Sequence, residues 1–446
     1  MSNVSRRTFF QGAVLAISAS RVIGANDKTN VGIVGLGTRG PALLGYLAQL
    51  PDNRVAGLCD VKQQARERAQ AKLQQLAPGE KAKEFVDMRE MFADKTIDAA
   101  FLSVPVHWHG LATVWGCEAG KDVYVEKPAS YNIHESRRMI ESARKTNRIV
   151  QVGLQGRSMP FKIRAMQLLR DGAIGKVYMS RGLCFKPRPS MGKTPPEPVP
   201  PGVDWELMQG PAPLRPYTKN RGSYTWNWLW DYGAGDLTNA GAHEFDVAHW
   251  GLGDPGMPKA AVSTGGKYVW DDDQEAPNTQ YCAFDYGDRE LVFEIRALPS
   301  GPEAGQPLVP GVTNYPWYPG GVQGHLTVGN LFLGGNGWMW LDASGFKIYK
   351  GEGSELAMEE KAATGAELSY QQAHVANFLQ ACRSRKIKDL HCDVAVGATS
   401  AAVCHLATIS YRVGRKIVWD DGKGRCVNDP EADRLITRDY RKPYVV

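Results

Sequence analysis

Over the first third of the chain, short apolar runs alternate with longer amphipathic stretches. The runs at 30–34, 54–59, 82–86, 97–104 and 121–125 read as strands, and that at 97–104 as a buried one. Residues 41–50, 62–76 and 111–119 carry the helical pattern, the last ended by Gly120. Strands and helices alternating at this rhythm predict a parallel sheet with helices on both faces. A final run at 149–152 completes that α/β unit and places a first domain at 26–150.

Beyond residue 150 the pattern changes. Residues 279–298 alternate around Gly287-Asp288, a hairpin signal, and 326–332, 338–341 and 346–349 read as further strands. Helices are predicted at 370–383 and 395–413. An α+β domain at 151–446 is expected, with a mainly antiparallel open sheet and the C-terminal helices packing back on the chain. Residues 186–216 hold ten prolines in 31 positions, which predicts a long surface arm. Residues 299–324 read as a second long loop.

The length of 446 residues agrees with two domains, and 43% apolar with 22% charged residues describes a globular protein. The formal charge of +6 falls to +3 without residues 1–25, where Arg6, Arg7 and Arg21 meet no acid. No basic stripe appears, so nucleic-acid binding has no electrostatic support. Ser5-Arg6-Arg7-Thr8-Phe9-Phe10, a modestly apolar stretch over 12–19 and Ile23-Gly24-Ala25 follow the order of an export signal at 1–25. The paired arginines point to the twin-arginine route and a periplasmic or extracytoplasmic address. The apolar stretch is too short for a stable membrane anchor, and no cysteine follows it for lipid attachment. Eight scattered cysteines form no C-x-x-C pair, so neither a disulfide framework nor a zinc site is expected.

Candidate chemistry begins at Gly35-Leu36-Gly37-Thr38-Arg39-Gly40, which follows a strand and opens a helix. Gly35 allows the turn, Gly37 lets the backbone approach a pyrophosphate, and Gly40 lets helix and strand pack closely. Asp60, 20 residues past Gly40, can accept from a ribose 2′-hydroxyl and repels a 2′-phosphate, which favours NAD over NADP. Arg39 keeps NADP as the lesser option. Thr38 and Ser103 join the candidate cofactor contacts.

Lys127 closes the strand at 121–125, at the end of the sheet where ligands bind. A lysine there can donate to a substrate hydroxyl and stabilise alkoxide as a hydride leaves. Pro128 fixes the turn, and Glu126 can set the lysine's charge or touch a nicotinamide ribose. In Val104-Pro105-Val106-His107-Trp108-His109 two histidines raise a metal hypothesis, but no third ligand of similar quality is near. Pro105 and His109 are instead expected beside the nicotinamide, with His109 capping the next helix. Read as a helix, 235–246 puts Asn239, His243 and Asp246 on one face, with His243 a candidate general base and Asp236 within reach of the cleft. Four of the 12 tryptophans (Trp205, Trp226, Trp228, Trp230) fall within 26 residues. They suit stacking on a sugar, with Trp230 a substrate contact, or packing at a subunit interface.

Together these stretches resemble the glucose–fructose oxidoreductase/inositol dehydrogenase/rhizopine-catabolism (Gfo/Idh/MocA) family. The likeness rests on Gly35-x-Gly37-x-x-Gly40, Asp60, Pro105 with His109, Gly120-Lys121-x-Val123-x-x-Glu126-Lys127-Pro128, Gly241-x-His243-x-x-Asp246 and the run to Pro443-Tyr444. It implies a Rossmann domain followed by an open-sheet domain, often oligomeric, and hydride transfer between nicotinamide and a sugar or polyol. Carried over, Lys127 orients the reacting hydroxyl and His243 is the acid/base. Asn239 stands where many members have Asp, and Val106 where Asn is usual.

Export adds a constraint, since little free NAD exists outside the cell. A tightly held dinucleotide, recycled within the enzyme, is therefore expected. An oxidoreductase with two carbohydrate or carbonyl substrates fits. So does redox-neutral glycoside cleavage through a keto-sugar. A non-catalytic secreted sugar-binding protein is the remaining reading, and the presence of both Lys127 and His243 argues against it.

Overall fold

The computed structural model describes residues 28–298, 309–315, 318–363 and 366–446; the twin-arginine segment lies outside them. The first unit runs β1 (Thr29–Val34), α1 (Gly40–Ala48), β2 (Asn53–Cys59), α2 (Gln63–Leu76), β3 (Lys83–Phe85) and α3 (Met88–Ala93). It continues with β4 (Ala99–Leu102), α4 (His109–Glu118), β5 (Asp122–Glu126), α5 (Ile133–Lys145) and β6 (Val150–Gly153). The six strands form one parallel sheet in the order β3-β2-β1-β4-β5-β6. The order reverses beside β1, which creates the crevice where open α/β sheets bind ligands.

Alternate side chains of these strands enter two cores. Val34, Leu102, Val123 and Val125 face one side, and Val31, Ile33, Phe101 and Tyr124 the other. This is why the strands read as continuous apolar runs.

The second unit contains α6 (Pro160–Arg170), β7 (Val177–Phe185), α7 (Trp205–Gln209), α8 (Lys219–Gly222) and α9 (Gly241–Gly251). Then come β8 (Ala260–Gly266), β9 (Thr279–Asp285), β10 (Glu290–Arg296), β11 (Val309–Tyr315), β12 (Tyr318–Gly334), β13 (Gly337–Asp342), β14 (Gly345–Lys350) and β15 (Glu355–Lys361). The chain ends with α10 (Ala366–Ser384), α11 (Val394–Val413), β16 (Ile417–Asp420), β17 (Arg425–Cys426) and α12 (Pro430–Arg434). Its strands make one mostly antiparallel sheet, β15-β14-β13-β12-β7-β10-β9-β8-β16-β17, with β11 paired to β12 and, among the described residues, only β10–β7 parallel.

The stretch 299–324 is not one long loop, because β11 and the start of β12 fall within it. Among the described residues β11 pairs with β12 alone, so Pro310 occupies an edge strand, where a missing N–H is tolerated. The helices α10 and α11 return to the first sheet. Val375, Phe378 and Leu379 of α10 join the core of β1 and α1, and Val394, Ala398 and Ala401 of α11 join the opposite core. Among the described residues α11 alone is long and apolar enough to cross a membrane, and it is spent instead as a core helix. All eight cysteines are buried free thiols.

Candidate active site

The glycine loop leaves β1 at Gly35, whose φ of +87° suits glycine. A Cβ on Gly35 would lie 2.5 Å from the Ser103 carbonyl oxygen, and one on Gly40 would lie 2.2 Å from that of Gly35. Ser103 Oγ donates to the Gly35 carbonyl at 2.7 Å, so this residue buttresses the loop from below. Gly37 differs: a Cβ there would meet nothing within 4 Å. The loop thus keeps open space at its middle glycine, and α1 behind it has no side-chain cap on its first N–H groups. Both features fit a pyrophosphate. Asp60 lies at the end of β2 and accepts the Leu36 N–H at 2.6 Å and the Lys62 N–H at 2.8 Å. Burial pushes its pKa up, against those two bonds.

Arg39 turns away from Asp60. Its Nε donates to Glu126 at 2.7 Å and its guanidinium also reaches Gln371 of α10 at 2.7 Å. The arginine that kept NADP open is therefore engaged by the lysine side of the crevice. Glu126 also accepts from Gln155 Nε2 at 3.3 Å.

Lys127 follows β5 and reaches across to the second unit. Its Nζ donates to the Asn239 carbonyl at 2.8 Å and to Asn239 Oδ1 at 3.2 Å. Burial, reinforced by Arg39, Lys186 and Arg188 and opposed by Glu126, lowers its pKa to about 8. Tyr224 donates to the same Asn239 Oδ1 at 3.2 Å, while the amide Nδ2 of Asn239 is buried without a protein partner. His243 is part-exposed in α9, and no hydrogen bond to its ring is formed among the described residues. Burial first, then the charges of Lys127, Lys162, Arg39 and Lys186, hold its pKa far below the usual histidine value. At neutral pH the pair therefore carries one positive charge, on Lys127.

Several expectations need correction. Residues 235–246 are not one helix, because α9 starts at Gly241. Gly235 has φ +73° and the Asp236 carbonyl accepts the Gly241 N–H at 2.7 Å, so a turn precedes the helix. Asn239 reaches Lys127 from that turn, not from a helix face. Asp246 is neither a substrate contact nor a partner of His243: both its carboxylate oxygens accept from buried Arg157, at 2.8 and 2.9 Å. Arg157 also pairs with Asp254, which ties α9 to the segment before α6. Asp236 is held by Arg188 and by the indole of Trp228 at 3.1 Å.

His109 does not cap α4. It is the first residue of that helix, with ring nitrogens 2.7 Å from the Pro128 carbonyl and 2.9 Å from that of Val104. It staples the ends of β4 and β5 together, and burial lowers its pKa. Pro105 precedes a short 3-10 turn, Val106–Trp108. Of the tryptophan cluster only Trp228 is buried; Trp205, Trp226 and Trp230 are part-exposed, with Trp205 donating to the Arg215 carbonyl and Trp230 under the Arg412 guanidinium at 5.3 Å. Arg188, Lys186, Lys162, Tyr224 and Gln371 were missed, and no local pattern marks them. They come from four separate segments.

A parallel sheet with a glycine loop, and a lysine at the end of β5 that reaches a turn of the open-sheet unit, define a Rossmann fold joined to an open-sheet domain. The chain belongs to the Gfo/Idh/MocA oxidoreductase family: its NAD-binding Rossmann fold matches residues 29–154, and its C-terminal alpha/beta domain matches residues 175–272 and 334–446. A glycosyl hydrolase family 109 protein of Saccharopolyspora erythraea is 27% identical over 162 residues, 35% of each chain. A myo-inositol 2-dehydrogenase of Thermotoga maritima is 27% identical over 181 residues, 40% of this chain and 49% of the relative. The chain thus spans less than half the length of either relative. The WlbA dehydrogenase from Bordetella pertussis, solved with NADH and UDP-GlcNAcA, superposes with a TM-score of 0.63 at 18% identity, over 88% of this chain and 99% of that one. At such identity the likeness speaks for the fold alone.

Proposed function

We propose that the protein oxidises a secondary hydroxyl of a sugar, polyol or glycoside, with a dinucleotide that stays bound through the cycle. The observation that carries this reading is the Lys127–Asn239–His243 arrangement: a lowered-pKa ammonium bonded to Asn239 lies beyond the glycine loop, near enough for its charge to keep the His243 imidazole neutral. Gly37, Asp60 and the start of α1 would hold the pyrophosphate and ribose, with Glu126 and Pro105 nearer the nicotinamide end. When bound, the dinucleotide takes up the hydride and can return it. Lys127 donates to the reacting oxygen and stabilises its negative charge as the C–H bond breaks. His243 accepts the hydroxyl proton, so the substrate loses a hydride and a proton and leaves a carbonyl.

A second reading is supported by the glycosyl hydrolase family 109 relative. Oxidation at a ring carbon acidifies the neighbouring C–H. Loss of that proton expels the aglycone, water adds, and the hydride returns to the carbonyl with no net redox change. Export by the twin-arginine route, suggested by Arg6 and Arg7, agrees with either reading, because that route carries folded proteins with cofactor in place. A homo-oligomer through the open sheet is part of the proposal, supported by exposed Val262, Tyr281 and Val418 on the outer face of β8, β9 and β16.

The test is to denature purified protein, measure released dinucleotide, and assay sugars and nitrophenyl glycosides in parallel. Stoichiometric dinucleotide with oxidation of one sugar and reduction of a second carbonyl is the expected result. Glycoside cleavage without net NADH selects the second reading. Protein that carries and binds no dinucleotide sinks both.

A further inference from the structure

The proline-rich segment at 186–216 is not a free surface arm. Its middle pairs with the corner between β2 and α2: Gln63 N–H donates to the Gly202 carbonyl at 2.8 Å and Asp204 N–H to that of Val61 at 3.0 Å. Lys62 Nζ adds a bond to the Gly222 carbonyl at 2.6 Å. Five residues on, α7 reaches the end of β4. Leu207 enters the core with Trp108, whose indole N–H donates to the Met208 carbonyl at 3.2 Å. Gly210, at φ +48°, closes on the Trp108 ring so tightly that a Cβ would lie 2.0 Å away. Thus the arm is anchored at the carboxyl ends of β2 and β4, the two neighbours of β1 in the sheet, and it bridges the crevice beside the glycine loop.

Alongside the arm lies an open groove of 620 Å³. Val61, Gln63, Arg66 and Val86 line one side, and Val203 and Trp205 the other. It begins at the residue after Asp60, where the adenosine ribose of a dinucleotide is held. Its walls mix the apolar Val61, Val86, Val199 and Val203 with Gln63, Arg66 and Asp204, so they offer apolar contact to the face of a purine and polar partners to its edge.

We infer that residues 199–205 are the outer wall of the dinucleotide site along its adenosine half, and that bound dinucleotide leaves only when this wall lifts. The inference rests on the function proposed above and deepens it, because it supplies the physical means of retention. A site that must release its cofactor each turnover gains nothing from a wall hydrogen-bonded to its rim. A site that recycles it gains residence time.

Geometry offers a direct test. The two backbone bonds flank the Lys62–Val203 pair, so it is a non-hydrogen-bonded antiparallel pair, with Cα atoms about 4.5 Å apart. That spacing falls within the range a disulfide bridges. In the Lys62→Cys/Val203→Cys variant, NADH release is followed by loss of its fluorescence during a chase with excess NAD. Oxidised protein should release NADH at least tenfold more slowly than the same protein after reduction. A second variant works in the opposite direction: Asp204→Pro removes the N–H that bonds Val61, at a φ of −82° that proline accepts. It should release NADH severalfold faster than wild type. Equal release rates in oxidised and reduced protein, or in Asp204→Pro and wild type, overturn the wall while leaving the oxidoreductase reading in place. Failure of the reduced and wild-type proteins to bind NADH at all removes both.

Discussion

Replacing Lys127 by methionine should stabilise the protein and silence it, and the two effects have one cause. The amine is taken from water and surrounded by Arg39, Lys186 and Arg188, which lowers its pKa from 10.5 to about 8. In the unfolded chain it titrates near the ordinary lysine value. Below pH 8 the amine is charged in both states, and the folded state bears the full cost of holding it. As pH rises from 8 towards 10.5 the folded state sheds the proton first, so wild type gains stability over that window. Each tenfold change in acidity is worth about 1.4 kcal/mol. Between pH 7 and about pH 9.5 wild type should therefore gain roughly 2 kcal/mol on Lys127→Met, or ~1 kcal/mol where water screens the part-exposed amine. The lost bonds to Asn239 and the added apolar contact do not titrate, so they cancel in the pH difference. Urea unfolding of both proteins at the two pH values measures it. The reaction rate of the variant, loaded with dinucleotide, should fall by about 10²–10⁴-fold. A stability difference that stays flat with pH would refute the buried-charge argument, and full turnover would refute the catalytic one.

Activity that needs charged Lys127 should decline as pH rises through about 8, and Asn239→Asp puts a carboxylate on that ammonium. The alkaline limb of kcat/KM should then move up by about one pH unit or more; an unmoved limb means another group sets it. In Gly37→Ala, denaturation should stay within about 0.5 kcal/mol of wild type, while calorimetry shows dinucleotide affinity down tenfold or more. Loss of stability without loss of affinity would show the open space at Gly37 to be incidental. Arg157→Met leaves Asp246 and Asp254 without their cation and should cost about 3–5 kcal/mol by thermal unfolding. A near-neutral result would mean the buried pair does not hold α9 in place.

Much of this protein is legible along the chain because the information is local. A parallel strand buried on both faces must be uniformly apolar, and a loop that admits a pyrophosphate must carry glycine, so β1, its loop and Asp60 announce themselves within 32 residues. The same logic found Lys127, since its place at a strand end follows from the rhythm of the elements before it. What the chain could not announce is pairing between distant segments. Helical spacing assigned Asn239 and Asp246 to the face of His243, yet a turn carries Asn239 to Lys127 while Arg157 takes Asp246. The pKa values of Lys127 and His243 come from burial and from cations on other elements, and no local pattern encodes those. The prolines of 186–216 excluded regular structure but could not say where the arm docks. That was decided by two backbone bonds at Val61 and Gln63 and by Leu207 in the core, because backbone groups pair by position and carry no sequence signature.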